Sequence, residues 1–202
     1  TRWTIDRNST VLTDRAKGRV SIGLARKMAT CRDSSPSFEL VADSLVHSDA
    51  VRALFDEVFG PGRFAKTAER LREGNRPIPE ASFVAIDEEG VAGVVRLWPV
   101  RVGDKRAAFL GPLAVAPRRR GDGVAFKLME RSIGVCREIG FPAVILVGDE
   151  GYYSRWMFKR AISGRFVLPG PVNQDRVLVR DLSPAAVHLE GEVRVEPDGA
   201  NH

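Results

Sequence analysis

Residues 118–125 read Arg118-Arg119-Arg120-Gly121-Asp122-Gly123-Val124-Ala125, three cations running into two closely spaced glycines. Upstream stands Leu113-Ala114-Val115-Ala116-Pro117, an apolar strand end closed by proline; downstream, Phe126-Lys127-Leu128-Met129 opens an apolar pattern of helical period. A strand feeding a tight loop that opens a helix leaves the first helical N–H groups without intrahelical partners, and the helix dipole favours negative charge beside them. Gly121 and Gly123 can take positive φ and let a ligand approach the backbone closely. The dipole alone contributes only about 0.3–1 kcal/mol at an exposed site, so several aligned N–H donors must supply most of the grip. A pyrophosphate suits such a site, with Arg118 to Arg120 adding positive charge.

The pattern separates the ways of holding a phosphate. A P-loop is excluded, because the spacing to Lys127 is wrong and no Ser or Thr follows that lysine. A dinucleotide fingerprint needs a third glycine where Phe126 stands, and it opens its domain, whereas three or four strands precede it here. Asp149, after the next strand, keeps that reading open.

Other residues with chemical potential are sparse. Cys31 and Cys136 are too few and too far apart for a disulfide framework or a zinc site, and neither has an obvious histidine partner. Cys136 falls on the apolar stripe of its helix, which predicts a buried, inert thiol. His47, His188 and His202 form no constellation. Pro112 lacks an N–H and cannot complete a sheet ladder, so a bulge or an edge is expected at Gly111-Pro112.

Positioning these residues requires an ordered scaffold, which is expected to begin at Ser37. Phe38 to Ala42 reads as a strand. Ser48 is a helix N-cap candidate, and Val51, Leu54, Phe55, Val58 and Phe59 fall on one helical face that Gly60-Pro61-Gly62 ends. A short polar helix is expected from Lys66 to Glu73, stopping at Gly74. Ser82 to Asp87 and Val91 to Val102 flank Glu88-Glu89-Gly90, a hairpin signal, and Gly103 to Arg106 turns into a strand over Ala107 to Ala116. These make an antiparallel meander. Ala125, Leu128, Met129, Ser132, Cys136 and Ile139 then line one helical face that Gly140 terminates. Val144 to Val147 reads as a buried strand, so strand, helix and strand imply a right-handed crossover with the two strands parallel. Tyr152 to Ala161 is expected as another short helix, with closing strands at Gly164 to Leu168 and Arg176 to Leu182.

Composition bounds the class. With 202 residues, 44% hydrophobic and 28% charged, the chain suits one α/β domain with an adequate core. No stretch approaches the roughly 20 apolar residues of a membrane span, and residues 1–35 lack the apolar block of a secretory signal, so the cytoplasm is the expected compartment. The net charge of +5 is local: residues 1–37 hold eight Arg/Lys against three Asp/Glu, and the remainder is balanced. The expected organisation is a basic arm over 1–36, a domain over 37–183 and a tail over 184–202.

Arg120-x-x-Gly123-x-Ala125 resembles the coenzyme A loop of the GNAT acetyltransferase superfamily: Gln or Arg, two residues, Gly, one residue, then Gly or Ala. The strand end at Leu113-Ala114-Val115-Ala116-Pro117 and the helix containing Leu128-Met129 resemble the motif's surroundings, and residues 37–182 match the superfamily's order of elements. The resemblance implies a mixed, mainly antiparallel central sheet flanked by helices, with two splayed parallel strands in the middle. It implies acetyl-CoA as co-substrate, no metal, and direct attack of a primary amine on the thioester without an acyl-enzyme. The loop residues Arg120, Gly121, Asp122, Gly123, Val124, Ala125 and Phe126 are expected to hold the pyrophosphate. The main chain of Leu113, Ala114 and Val115 is expected to hold the pantetheine arm, with an N–H near Leu113 as oxyanion donor.

Tyr153-Ser154-Arg155-Trp156-Met157-Phe158 resembles the superfamily's Tyr-x-x-x-Gly-Phe segment, which implies Tyr153 as the catalytic group at the coenzyme sulfur, with Tyr152 as the fallback. Met157 departs from the pattern and leaves the helix end undefined. No base is assigned: Glu88 and Glu89 sit in a turn, and Asp149 and Glu150 follow the core strand, where Asp149 also suits a helix cap. Gly60 to Phe64 are expected to shape the acceptor site, with Arg63 a carboxylate ligand or an exposed charge. The acceptor, the acyl length and a homodimer stay open. Two other readings remain: a non-catalytic acyl-CoA-binding regulator, motivated by the missing base, and a nucleic-acid binder using the basic arm.

Overall fold

The computed structural model describes residues 37–60 and 67–196. The expected basic arm, the segment from Pro61 to Lys66 with Arg63 and Phe64, and His202 lie outside the described residues.

Within them the chain forms β1 (Glu39–Ala42), α1 (Ser48–Phe59), β2 (Phe83–Asp87), β3 (Gly90–Val102), β4 (Lys105–Val115), α2 (Val124–Glu138), β5 (Ala143–Val147), α3 (Glu150–Tyr153), β6 (Lys159–Arg160), β7 (Phe166–Val167), β8 (Val177–Asp181) and β9 (Gly191–Val195). The strands run in the order β1-β2-β3-β4-β5-β8-β6, with β9 joining β3 and β7. Along this order every pair is antiparallel except β4 with β5. This is the expected mixed α/β sheet with one parallel pair at its centre.

The central strands are apolar on both sides, so strand alternation divides them between two layers. Ala108 and Leu110 of β4, with Val144 and Leu146 of β5, pack with Leu128, Met129 and Ile133 of α2. Ala107, Phe109, Ala143 and Ile145 face the other layer with Trp98, Phe166, Val179 and Val193. α1 covers a third cluster, burying Val51, Leu54 and Phe55 against Val84, Val94 and Ala114. α2 lies close on β3 because Gly93 has no side chain: a Cβ there would stand 2.8 Å from Val124 Cγ1 and 3.1 Å from Leu128 Cδ1.

Several elements differ from the sequence reading. Ser48 is the first helical residue rather than the cap, since a 3₁₀ turn over Leu45–His47 leads directly into α1. The expected polar helix is a 3₁₀ segment over Thr67–Leu71. On α2, Ile139 lies past the helix end and is exposed, whereas Ile133 is buried in the core. The short helix expected over Tyr152 to Ala161 starts and ends earlier: α3 passes into a 3₁₀ turn, Ser154–Trp156, and Met157 at φ 60° ends it, freeing Lys159 and Arg160 to pair with β8. Residues beyond 183 contribute to the sheet. Val193 to Val195 of β9 pair with Val100 to Val102, where β3 outruns β2, so the sheet extends to residues read as a tail. Their polar alternation hid this, because a strand with one exposed face carries few apolar residues.

Candidate active site

The parallel pair is short. Ala108 and Phe109 of β4 face Val144 and Ile145 of β5, and beyond Phe109 no pairing between the two strands follows among the described residues. The cause lies in β4. Val95 pairs with Leu113 and Leu97 with Leu110, so Gly111 and Pro112 together oppose the single residue Arg96, a bulge where Pro112 predicted one. The Gly111 carbonyl is held by the Trp98 indole N–H, 2.5 Å away. Past the bulge, Ala116 N–H donates to Ala92 at 2.9 Å. Antiparallel pairing alternates, so the main-chain groups of Ala114 face β3 while those of Leu113 and Val115 face the opening beside β5.

At the end of β4 the chain forms a 3₁₀ turn, Pro117–Arg119, and then enters α2 through Gly121 at φ 92° and Gly123 at φ 79°. Gly123 is the N-cap, and the first intrahelical bond of this turn runs from Lys127 N–H to Gly123 at 3.0 Å. The N–H groups of Val124, Ala125 and Phe126 therefore precede the hydrogen-bonded part of the helix. No atom lies within 4 Å of a Cβ built on Gly121 or Gly123, so the space over the loop is open.

The three arginines part company here. Arg118 forks onto Asp87 at the end of β2, at 2.5 and 3.0 Å, and Arg119 reaches the same carboxylate at 2.9 Å and Asp122 at 3.4 Å. The hydrogen bond from Arg118 holds the Asp87 carboxyl below its usual pKa. These two arginines fasten the loop to the sheet. Arg120 makes no ion pair among the described residues and lines the cavity over the loop. Only part of the triple-arginine charge is thus free to face a ligand.

That cavity encloses about 460 Å³ and is lined by Leu113, Ala114, Val115, Arg120, Gly121, Gly123, Val124, Ala125 and Phe126, nine of the ten residues expected to hold the co-substrate. Asp122 is not among its lining residues; its carboxylate is turned to Arg119. Val58, Arg119, Tyr152, Tyr153, Arg155 and Trp156 complete the wall. Arg155 stacks over the Tyr152 ring, 4.6 Å from its centroid. Sequence reasoning passed over Arg155 and Trp156 although they lie inside the segment that pointed to Tyr153.

A second cavity of about 690 Å³ opens on the other side of the parted strands, between α1, the 3₁₀ segment Thr67–Leu71 and residues 171–176. Leu113 and Tyr153 line both cavities. Tyr153 packs edge-on against Tyr152 and Phe158, and burial, the leading cause, pushes its hydroxyl up to about 12, while Arg176 and Arg72 act in the opposite direction.

The remaining candidates fall elsewhere. Asp149 caps α3, accepting the Tyr152 N–H at 2.9 Å, and Glu150 accepts the Arg160 N–H at 3.2 Å; neither lines either cavity. Glu88 and Glu89 occupy the exposed β2–β3 turn. Cys136 is fully buried, and burial pushes its thiol up to about 12, as an inert core residue requires. Among the described residues no group of His, Cys, Asp and Glu could hold a metal ion, and no helix is long and apolar enough to cross a membrane.

Comparison with known proteins shows the family and the fold. The sequence profile of the Acetyltransferase (GNAT) family matches residues 48–161. The uncharacterized N-acetyltransferase YhbS of Escherichia coli K12 is 34% identical over 119 residues, 57% of this chain and 70% of that protein. A crystal structure of the Escherichia coli GNAT family N-acetyltransferase YhbS in complex with CoA superposes with a TM-score of 0.67 at 28% identity, covering 79% of this chain and 89% of that one. A GNAT family acetyltransferase from Brucella melitensis in complex with acetyl-CoA shares the fold, with a TM-score of 0.61 at 23% identity over 80% of this chain and 97% of that one. The chain belongs to the acetyltransferase (GNAT) family.

Proposed function

We propose that this protein transfers an acetyl group from acetyl-CoA to a primary amine by direct attack. The observation that carries the reading is the meeting of two cavities at Leu113 and Tyr153, one of them rimmed by unpaired helix-start N–H groups and Arg120. The 28%-identical YhbS structure contains CoA, which supports the same ligand here.

The residues present fit the co-substrate. Gly121 and Gly123 hold the loop in positive φ with open space above it, so a pyrophosphate can approach the N–H groups of Val124, Ala125 and Phe126, with Arg120 beside them. The main-chain groups of Leu113 and Val115, directed into the gap, suit the amide-bearing arm of the coenzyme, and an N–H there would serve as donor to a thioester carbonyl. Acetyl-CoA, when bound, supplies an activated acetyl group whose carbonyl carbon the amine attacks.

Tyr153, which lines both cavities, would then serve the departing sulfur. With its pKa near 12 against about 8.5 for a thiol, full proton transfer from Tyr153 to the thiolate is uphill by roughly 5 kcal/mol. Its role is to donate a hydrogen bond to the developing negative charge. Among the described residues Glu69 is the single carboxylate lining the acceptor cavity, and it is paired with Arg72 at 3.0 Å. The acceptor therefore enters as the neutral amine, and its proton leaves to solvent after bond formation.

The test is calorimetric titration of the full chain with acetyl-CoA, followed by thiol release in the presence of an amine panel. Absence of coenzyme binding would sink the proposal; binding without thiol release would favour a regulatory acyl-CoA-binding role.

A further inference from the structure

The acceptor cavity has a marked charge imbalance. Among the described residues four arginines line it, Arg52, Arg72, Arg96 and Arg176, against one carboxylate, Glu69. Two of these cations are compensated: Arg72 by Glu69 at 3.0 Å, and Arg96 by Asp43, whose carboxylate lies 2.5 Å from its Nε. Arg52 and Arg176 make no ion pair among the described residues. Arg176 is nevertheless held in place: its Nε donates to the Gly148 carbonyl at 3.4 Å, and its own carbonyl accepts the Gly148 N–H at 2.9 Å. It thus sits at the end of β5, next to the segment that carries Tyr153.

Resting on the acetyl-transfer reading above, we infer that the acceptor is a small amine that also carries an anionic oxygen group, a carboxylate or a phosphate, bound by Arg52 and Arg176. Unpaired guanidinium groups match such an anion through charge-assisted hydrogen bonds. The same field acts against a polycation. Arg72, Arg176 and Tyr153 line the same cavity, so its cationic side borders the point where the two cavities meet. A second ammonium on the acceptor would be repelled there, whereas an anionic group is attracted by the same charges. Phe55, Phe59 and Trp98 supply apolar wall for the body of the molecule.

Initial rates with acetyl-CoA and matched acceptors test this. The pairs are phenylalanine against phenylalaninamide and phosphoethanolamine against ethanolamine, with spermidine as the cationic acceptor. The anionic member of at least one pair is expected to exceed its neutral partner at least tenfold in kcat/KM, with spermidine the poorest; which pair responds distinguishes carboxylate from phosphate. Arg176→Gln and Arg52→Gln should each raise the KM of the anionic acceptor about tenfold without changing the KM of acetyl-CoA. The charge reversal Arg52→Glu, at an exposed helix position, should shift preference toward the uncharged analogue. Equal or better use of neutral amines or spermidine would overturn the inference. So would an unchanged preference in all three variants, or no turnover of any anionic amine by a protein that binds acetyl-CoA. Failure to bind acetyl-CoA at all would instead bring down the underlying acetyl-transfer reading.

Discussion

The Tyr153 ring lies against the backbone of Gly148, in space that any side chain at position 148 would occupy: a Cβ there would overlap the ring edge and stand 2.8 Å from Leu146 Cδ1. Gly148 therefore sets where the phenol points. Gly148→Ala should displace the ring and lower kcat at least tenfold, with a smaller effect on the KM of acetyl-CoA. Tyr153→Phe keeps the ring and removes only the hydroxyl, so a comparable fall in kcat with unchanged stability is expected. Steady-state kinetics of both variants, beside their melting temperatures, check the pair; full activity in Tyr153→Phe would remove the hydroxyl from the chemistry.

The elevated Tyr153 pKa has a consequence for stability. Below pH 10 the phenol is neutral in both folded and unfolded chains. Between pH 10 and about 12 the unfolded chain ionises first, so stability falls as pH rises through that window, by about 3 kcal/mol for this group. Urea unfolding at stepped alkaline pH should show a shallower decline in Tyr153→Phe than in the parent. Cys136, raised to about 12 by burial, contributes its own decline in both proteins and cancels in the comparison.

Adjacent arginines should separate cleanly in their effects. Arg120→Ala should weaken acetyl-CoA binding about tenfold, at the scale of a charged hydrogen bond, and leave the melting temperature near the parent value. Arg119→Ala removes a partner of the buried Asp87 carboxylate, so it should lower stability by about 1–3 kcal/mol. Titration calorimetry and thermal unfolding of the two variants distinguish the roles; matching profiles would contradict the division of labour.

Met157 occupies a left-handed conformation at φ 60° with 62% of its surface exposed. A non-glycine residue there is disfavoured by about 1–2 kcal/mol, and little packing is lost on removing the side chain. Glycine also frees the unfolded chain, which offsets about 0.4–1 kcal/mol. Met157→Gly is thus expected to raise stability by roughly 0.5–1 kcal/mol, measured by denaturant midpoint. The position where the related Tyr-x-x-x-Gly-Phe pattern carries glycine is one where the backbone asks for it.

Much of this was readable along the chain because it depends on local rules. Apolar period separated strands from α1 and α2, Gly90 and Gly103-Asp104 marked the turns, and Pro112 announced the bulge that parts β4 from β5. The loop from Arg120 to Phe126 was legible because a helix start, two glycines and a cation are neighbours in sequence. The helix expected after Tyr152 failed for a local reason that only the backbone reveals, the turn at Met157, and β9 failed because its pairing with β3 joins residues about 90 apart.

By itself the sequence determined the strand–loop–helix unit that readies main-chain donors for an anion, since those groups are covalent neighbours and their geometry follows from short-range sterics. The cavity between α1 and residues 171–176 belongs to the tertiary structure alone. Arg52, Arg72, Arg96 and Arg176 sit on four separate segments, two of them in pairs with acidic residues, and nothing in their spacing shows that they converge or which of them keeps its charge unpaired. Their meeting around Tyr153 follows from sheet order and from the parting of two strands, which are long-range packing outcomes.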